Sequence, residues 1–350
     1  MKANTGNFFE DFRPGQEIVH ATPRTLSTGD AALGIALYGS RFVLQSSDAF
    51  ARSLGFVRAP LDDLLVFHIV FGKSVPDISL NAIANLGYAQ GRFLKPVYPG
   101  VTLSARSQVI GLKENANRKT GIVHVRTTGF DETGGAVLSY VRWVMVRKRD
   151  EAASTDASPA PVLADHIPVD ALGVPDGVDF SRCDFAAAGI RHAWEDYSTG
   201  EKIDHVDGTT IEEAEHQLAT RLYQNTARVH FNQYTEGKGR FGRRLVYGGH
   251  VISIARALSY NGLEGALLIA AINAGRHANP AFAGDTIFAW SEVLDKAALA
   301  GRTDCGVLRL RLVATKNLPA SAFPDRAKDG SYPENVILDF DYWAILPRRR

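Results

Sequence analysis

Cysteine is scarce: the chain holds two in 350 residues, Cys183 and Cys305. Two thiols so far apart supply neither a disulfide framework nor the close spacing of a metal site, so no metal is expected, and a reducing, cytoplasmic compartment suits them best. Long hydrophobic runs are also missing. The longest, LLVFHIVF at 64–71, is far shorter than a membrane-spanning helix requires and is followed at once by Gly72 and Lys73, so no membrane partner is expected. Charge of one sign is absent too, because 39 Lys and Arg against 38 Asp and Glu leave a net charge of +1. No basic stretch argues for nucleic acid. The N-terminus, MKANTGNFFEDF, lacks the basic start and apolar core of a signal peptide and is expected to be mature as written. What is present, 45% apolar and 22% charged residues, describes a globular chain of two ordinary domains or one large one.

The chain repeats itself. FFEDFRPGQEIVHATPRTLSTGD near the start is echoed by AWEDYSTGEKIDHVDGTTIEEAE at 193. At a constant shift of 185, Glu10, Asp11, Gly15, Ile18, His20, Thr25, Leu33, Leu37 and Tyr38 meet identical residues, nine in the 29 positions 10–38. Chance composition would give about two. At a shift of 184, eight further identities run from Gly91 on Gly275 to Val109 on Val293. Trp143 then meets Trp343 at a shift of 200, so half two carries extra residues, placed most simply in the polar stretch ATKNLPASAFPDRAKDGSYPEN. A period this long excludes a solenoid and implies a duplicated domain.

The stretch EAASTDASPAPVLAD at 151–165 has no apolar period and reads as linker. The expected organisation is therefore 1–150, a linker over 151–189, and 190–350. Within each half a short run ending at His20 or His205 leads to a helix, opened by Ser27-Thr28-Gly29-Asp30 in one and Thr210-Ile211-Glu212-Glu213 in the other. Thr210 with Glu213 has capping-box spacing. A longer apolar helix is expected from about Pro60 to Phe71 and from about Gly249 to Tyr260. Alternating strands follow: VTLSARSQVIGL, GIVHVRTTGF and AVLSYVRWVMV, then GDTIFAWSEVL, GVLRLRLVAT and NVILDFDYWAIL. One buried helix and a run of antiparallel strands per half describes an α+β domain whose sheet wraps a central helix.

Asn225 and His230, in LYQNTARVHF, sit five residues apart with small residues between. In a tight turn both side chains reach one point, where an imidazole moves a proton and an amide holds water or a carbonyl. The same spacing also fits a helix end with a satisfied histidine.

The surrounding motifs choose between these. Thr210 to Glu213, then Asn225 to His230, then Tyr247-Gly248-Gly249-His250-Val251 resemble, in order and spacing, the MaoC-like, R-specific enoyl-CoA hydratase family of hot-dog folds. That family reads T-x-E-E, then D-x-N-P-x-H, then an H-G-M-type turn into the central helix. Over the whole chain, PLDDLLVFHIVFGK, NAIANLGYAQGRFLKPVYPG and YQNTARVHFNQ resemble its tandem, double hot-dog members. The departures are specific: Asn225 stands at the family's aspartate, Ala227 at its asparagine and Arg228 at its proline. In half one the loop is SRFVLQ, Ser40 to Gln45, with Gln45 at the histidine position, and neither end moves protons near pH 7.

The resemblance implies a hydro-lyase acting on a short, branched, dicarboxylic enoyl-CoA, with one working site per chain, on half two. It implies no cofactor beyond the CoA of the substrate, an acyl-CoA thioester as partner, and a homo-oligomer. His230 would move the proton, Asn225 would orient water or thioester, and the N–H groups of Gly248 and Gly249 would hold the enolate oxygen. A second carboxyl group on the substrate calls for a cation, for which Arg228 is chosen. Arg92 and Arg276 recur in both halves and read as structural. Asp62 and Asp63 read as helix N-terminal acids, and His68, His216, His250 and His277 as core or surface. A linear enoyl-CoA, or a duplicated hot dog that binds acyl-CoA without turnover, stays open.

Overall fold

The computed structural model of the chain describes residues 2–349. Half one supplies β1 (Glu17–Thr25), β2 (Ala82–Phe93), β3 (Thr102–Glu114), β4 (Thr120–Phe130) and β5 (Ala136–Arg147). Half two supplies β6 (Lys202–Asp204), β7 (Thr209–Thr210), β8 (Leu268–His277), β9 (Thr286–Ala298), β10 (Cys305–Lys316) and β11 (Val336–Pro347). They form one antiparallel sheet in the order β1-β3-β4-β5-β2-β8-β11-β10-β9-β6, with β7 beside β9. The six strands expected from alternation are β3, β4, β5, β9, β10 and β11. β2 and β8 join the halves: Tyr88 pairs with Gly275 and Arg92 with Ala271. The duplicated glycines belong to this seam. A Cβ on Gly91 would lie 2.8 Å from Ile272 Cβ, and one on Gly275 2.8 Å from the Tyr88 ring.

The helices are α1 (Thr28–Tyr38), α2 (Val43–Ser46), α3 (Asp48–Ser53), α4 (Asp63–Ile78), α5 (Phe185–Ala188), α6 (Glu213–Leu222), α7 (Gln233–Glu236) and α8 (Gly248–Leu258). α4 packs on β1, β3 and β4, and α8 on β9, β10 and β11, each inside its own half of the sheet. α4 runs on to Ile78, past the expected end at Phe71, because Gly72 and Lys73 are buried within it and the Lys73 ammonium donates to Thr22 O at 2.6 Å. An apolar helix buried nearly all round is what a central position between sheet and partner helix demands. α4 and α8 run antiparallel. Asp62 at the start of α4 senses the charge of Arg256 near the end of α8, while His68 further along α4 packs on Tyr247 at the start of α8, ring centroids 5.6 Å apart.

One expected cap is different. The capping box in half one is real, with Ser27 and Asp30 exchanging backbone bonds of 3.3 and 2.7 Å. In half two Thr210 is held in the sheet edge by β7, its hydroxyl 2.8 Å from that of Thr286, and α6 starts at Glu213 with no side-chain cap. Residues 151–189 add no strand to the sheet. From Ile167 onward they lie over it, with Ile167, Val178 and Phe180 buried in one cluster with Phe50 and Phe56 of half one and Trp343 of half two. Trp343 Nε1 donates to Ile167 O at 2.9 Å, and Asp179 N to Leu54 O at 2.8 Å.

Candidate active site

The site is assembled from four pieces: the end of α6, the loop 223–231, the start of α8, and the inward face of α4 from the other half. α4 and the loop touch without a gap, since a Cβ on Gly72 would fall 1.8 Å from Tyr223 O. Loop 223–231 turns through a short 3-10 segment, Arg228–His230, whose closing bond runs from Phe231 N to Arg228 O.

His230 is buried, and its Nδ1 donates to Leu245 O at 2.9 Å. That bond fixes the tautomer and leaves Nε2 as the acceptor of a neutral ring, with no partner among the described residues. Burial lowers the imidazole pKa to about 4, against the opposing Leu245 bond, with nearby His216 lowering it slightly more. Near pH 7 His230 is therefore an unprotonated base. Asn225 Oδ1 accepts from Ala227 N at 3.0 Å, so the amide is oriented by its own turn. Its Nδ2 is buried with no partner among the described residues, a donor held ready for something else.

Tyr247 occupies the N-cap of α8 and offers no side-chain cap. Gly248 N–H and Gly249 N–H, first in the helix, have no intrahelical acceptor, and the dipole favours negative charge there. Neither position admits a side chain. A Cβ on Gly248 would lie 2.3 Å from the His277 ring, and one on Gly249 2.3 Å from Tyr247 and 2.6 Å from His68.

Around Tyr247 the structure gathers, beside His230, groups to which sequence reasoning gave no role in the site. His230, His68 and Tyr223 lie at ring-centroid distances of 5.4, 5.6 and 5.8 Å from it. His277 bonds Tyr88 OH at 3.0 Å, and His250 Nδ1 lies 3.3 Å from Tyr38 OH. Burial lowers the pKa of His68 and His250 to about 3 and of His277 to about 4, so this lining is uncharged. The signal for His68 was present, a lone imidazole inside an otherwise apolar helix, but its partner lies 179 residues away in sequence. Among the described residues no group of three or more His, Cys, Asp or Glu is placed to hold a metal ion.

His230 thus packs on Tyr247, the residue that leads into Gly248 and Gly249, while Asn225 lies on the same loop as His230 and against Gly72 of the other half. Arg228 does not join them: it is exposed, and no ion pair or hydrogen bond of its guanidinium is formed among the described residues. Arg92 and Arg276 serve the frame, the first donating to Ala171 O at 3.0 Å and the second lying over the Tyr332 ring. Asp62 caps α4, accepting from Leu64 N at 2.9 Å and Leu65 N at 3.1 Å, and Asp63 accepts from Ile269 N at 2.8 Å. No helix of the described residues is long and apolar enough to cross a membrane.

A duplicated helix-in-sheet fold with a neutral histidine facing a helix N-terminus defines a double hot-dog protein of the MaoC-like class. The solved structures agree. A MaoC domain protein from Chloroflexus aurantiacus J-10-fl superposes with a TM-score of 0.98 at 63% identity over 100% of both chains. A double hot-dog protein from Mycobacterium tuberculosis gives 0.76 at 28% identity over 98% of this chain and 99% of its own. The family of mesaconyl-CoA hydratases matches over residues 2–323, and the chain belongs to it. It is 63% identical to the β-methylmalyl-CoA dehydratase of Chloroflexus aurantiacus, over 99% of both chains. It is 60% identical to the mesaconyl-CoA hydratase of Cereibacter sphaeroides, over 99% of this chain and 100% of that one.

Proposed function

We propose that the chain is a hydro-lyase that interconverts mesaconyl-CoA and β-methylmalyl-CoA by reversible addition of water. The observation that carries this reading is full-length identity of 63% and 60% to proteins so named, together with a base and an N–H pair suited to that chemistry. Water sits between His230 Nε2 and Asn225 Nδ2. Nε2 takes a proton from it as the oxygen bonds to Cβ, and the π pair of the double bond moves through Cα to the thioester oxygen. Gly248 N–H and Gly249 N–H hold that enolate oxygen. The imidazolium then returns its proton to Cα, so one base serves both transfers and the sum is the addition of H and OH. An acyl-CoA thioester is the partner, and no cofactor beyond its CoA is required. A reducing, cytoplasmic setting suits the two free cysteines, and a homo-oligomer is the assembly we infer from the family resemblance.

The test is direct. Absorbance of the enoyl-thioester band should fall on adding the protein to mesaconyl-CoA, and fall more slowly with crotonyl-CoA. No change with either thioester would leave a binding protein in place of an enzyme.

A further inference from the structure

Beside Asn225, on the side facing half one, lies a cavity of about 540 Å³ between α4, α6 and the loop 224–231. Asn225, Thr220, Thr22, Lys73, Gln224 and Phe231 contribute to its walls. We propose that Lys73, contributed by the half that lacks the catalytic histidine, receives the free carboxylate of the substrate in this cavity and so sets specificity for a dicarboxylic acyl group. The assignment rests on the mesaconyl-CoA reading and deepens it.

Lys73 is 5% exposed, yet no carboxylate lies within ion-pair distance among the described residues; its one hydrogen bond is to Thr22 O. A buried ammonium with a single neutral acceptor has unused donors and an unmet charge. Burial, with Arg24 nearby, lowers its pKa to about 8, so it is still mostly protonated at pH 7. An arriving carboxylate would hold the proton more firmly.

The other cations are accounted for. Arg24 is bound to Asp30 and Leu222 O. Arg142 is fully buried, stacked 4.1 Å over Phe71 and bonded to Ser74 Oγ at 2.8 Å, and has no place in this cavity wall. Arg221 lines the cavity but is exposed, where a pair with a carboxylate is worth little.

Two further features mark the cavity as built. Thr22 and Gln224 both hold positive φ, 62° and 51°, a conformation that costs energy for residues other than glycine and persists where surroundings enforce it. In half two the residue 185 positions after Lys73 is Leu258, so the ammonium is not part of the duplicated frame. In the proposed arrangement the thioester sits at Gly248 and Gly249 with Cβ at His230, and the carboxylate on Cβ enters the cavity beside Asn225, which lines it and whose unpartnered Nδ2 is a second donor.

The experiment compares mesaconyl-CoA with 2-methylcrotonyl-CoA, which has a methyl where the carboxylate stands. Steady-state kcat/KM is measured for the first, and affinity as substrate or competitive inhibitor for the second, in wild type, Lys73→Met, Lys73→Gln and, as a control outside the cavity, Arg52→Ala. Both Lys73 variants should lose on the order of 10- to 100-fold in kcat/KM for mesaconyl-CoA, mostly through KM. They should bind 2-methylcrotonyl-CoA as well as wild type or better, which also shows that they are folded, and the exposed Arg52→Ala should leave both values near wild type. Parallel losses for the two thioesters, or no loss for either, overturn the role of Lys73. Failure of the wild type to hydrate mesaconyl-CoA overturns the functional reading instead.

Discussion

Tyr38 and Tyr223, one from each half and 185 residues apart, meet hydroxyl to hydroxyl. A residue bonded to its own duplicate is the signature of a two-fold contact, here between two halves of one chain. Everything on the catalytic side of that axis departs from symmetry. Asp62 and Tyr247 occupy equivalent N-caps, but Asp62 fills the N–H groups of Leu64 and Leu65 with its own carboxylate, while Tyr247 leaves those of Gly248 and Gly249 free. Half one thus has a side-chain-capped helix terminus where half two has an uncapped one, to which the proposed mechanism assigns the enolate oxygen.

This asymmetry separates two sets of variants. His230→Ala should reduce turnover by orders of magnitude, since it removes the base of the proposed mechanism. Gln45 stands at the same position of half one, where its Nε2 donates to Leu267 O at 2.9 Å. Gln45→Ala should change melting temperature more than kcat. Asp62→Ala removes a cap and should cost about 0.5–2 kcal/mol of stability with kcat nearly intact. Parallel denaturation and rate measurements on the three variants check all of this.

The pH dependence follows from buried imidazoles. His230 is held down to about 4, so on the acid side kcat/KM should stay level from neutral pH downward and fall as pH approaches 4 and the base is protonated. This replaces the neutral-range ionisation expected of an ordinary histidine. Stability has the same sign. His68, His205, His230, His250 and His277 all titrate below their ordinary value in the folded chain, so between about 6.5 and their lowered values the unfolded chain binds more protons. The contribution is fully present above about pH 6.5 and is lost as pH falls toward 4 and then 3. Unfolding midpoints in urea at pH 7.5, 6 and 5 should fall in that order, and initial rates after a pH jump separate the two effects.

Much of this was legible in the sequence, and the part that was not has a physical cause. Alternation located six long strands because each has one face on a helix and the other elsewhere. β2 and β8 were less visible, since a seam strand such as ANLGYAQG carries glycines where the partner strand comes close. Asn225 and His230 could be read from spacing because one loop holds both. Lys73 could not, because its neighbours in the cavity come from α6 and the loop of the other half, some 150 residues further along. Arg228 looked apt by sequence proximity to His230, yet a side chain two residues from a buried one on a 3-10 turn points elsewhere, here to solvent.

The contact between the halves should be sensitive to a single methyl group. Gly72→Ala would set a Cβ 1.8 Å from Tyr223 O, so either α4 or the catalytic loop must move. Overpacking of this kind typically costs about 1–3 kcal/mol. Because the displaced loop carries Asn225 and His230, kcat should fall along with the melting temperature. The equivalent residue of half two is Ala257, and Ala257→Gly, which only removes a methyl, should leave kcat within a few-fold of wild type.

Asn225 offers the sharpest test, because it stands where the wider family has an aspartate. Asn225→Ala removes an oriented donor and should lower turnover on the order of a hundredfold or more. Asn225→Asp keeps the shape and adds a negative charge to the wall of the cavity that also holds Lys73. There the new carboxylate would pair with the Lys73 ammonium and repel a carboxylate on the substrate. Affinity for mesaconyl-CoA should therefore drop more than affinity for crotonyl-CoA, which has no second carboxyl group. Activity on crotonyl-CoA should be kept or rise, since the aspartate can share proton transfer with His230. An Asn225→Asp variant that hydrates both thioesters as well as or better than wild type would remove the argument for a dicarboxylic substrate and favour a linear enoyl-CoA.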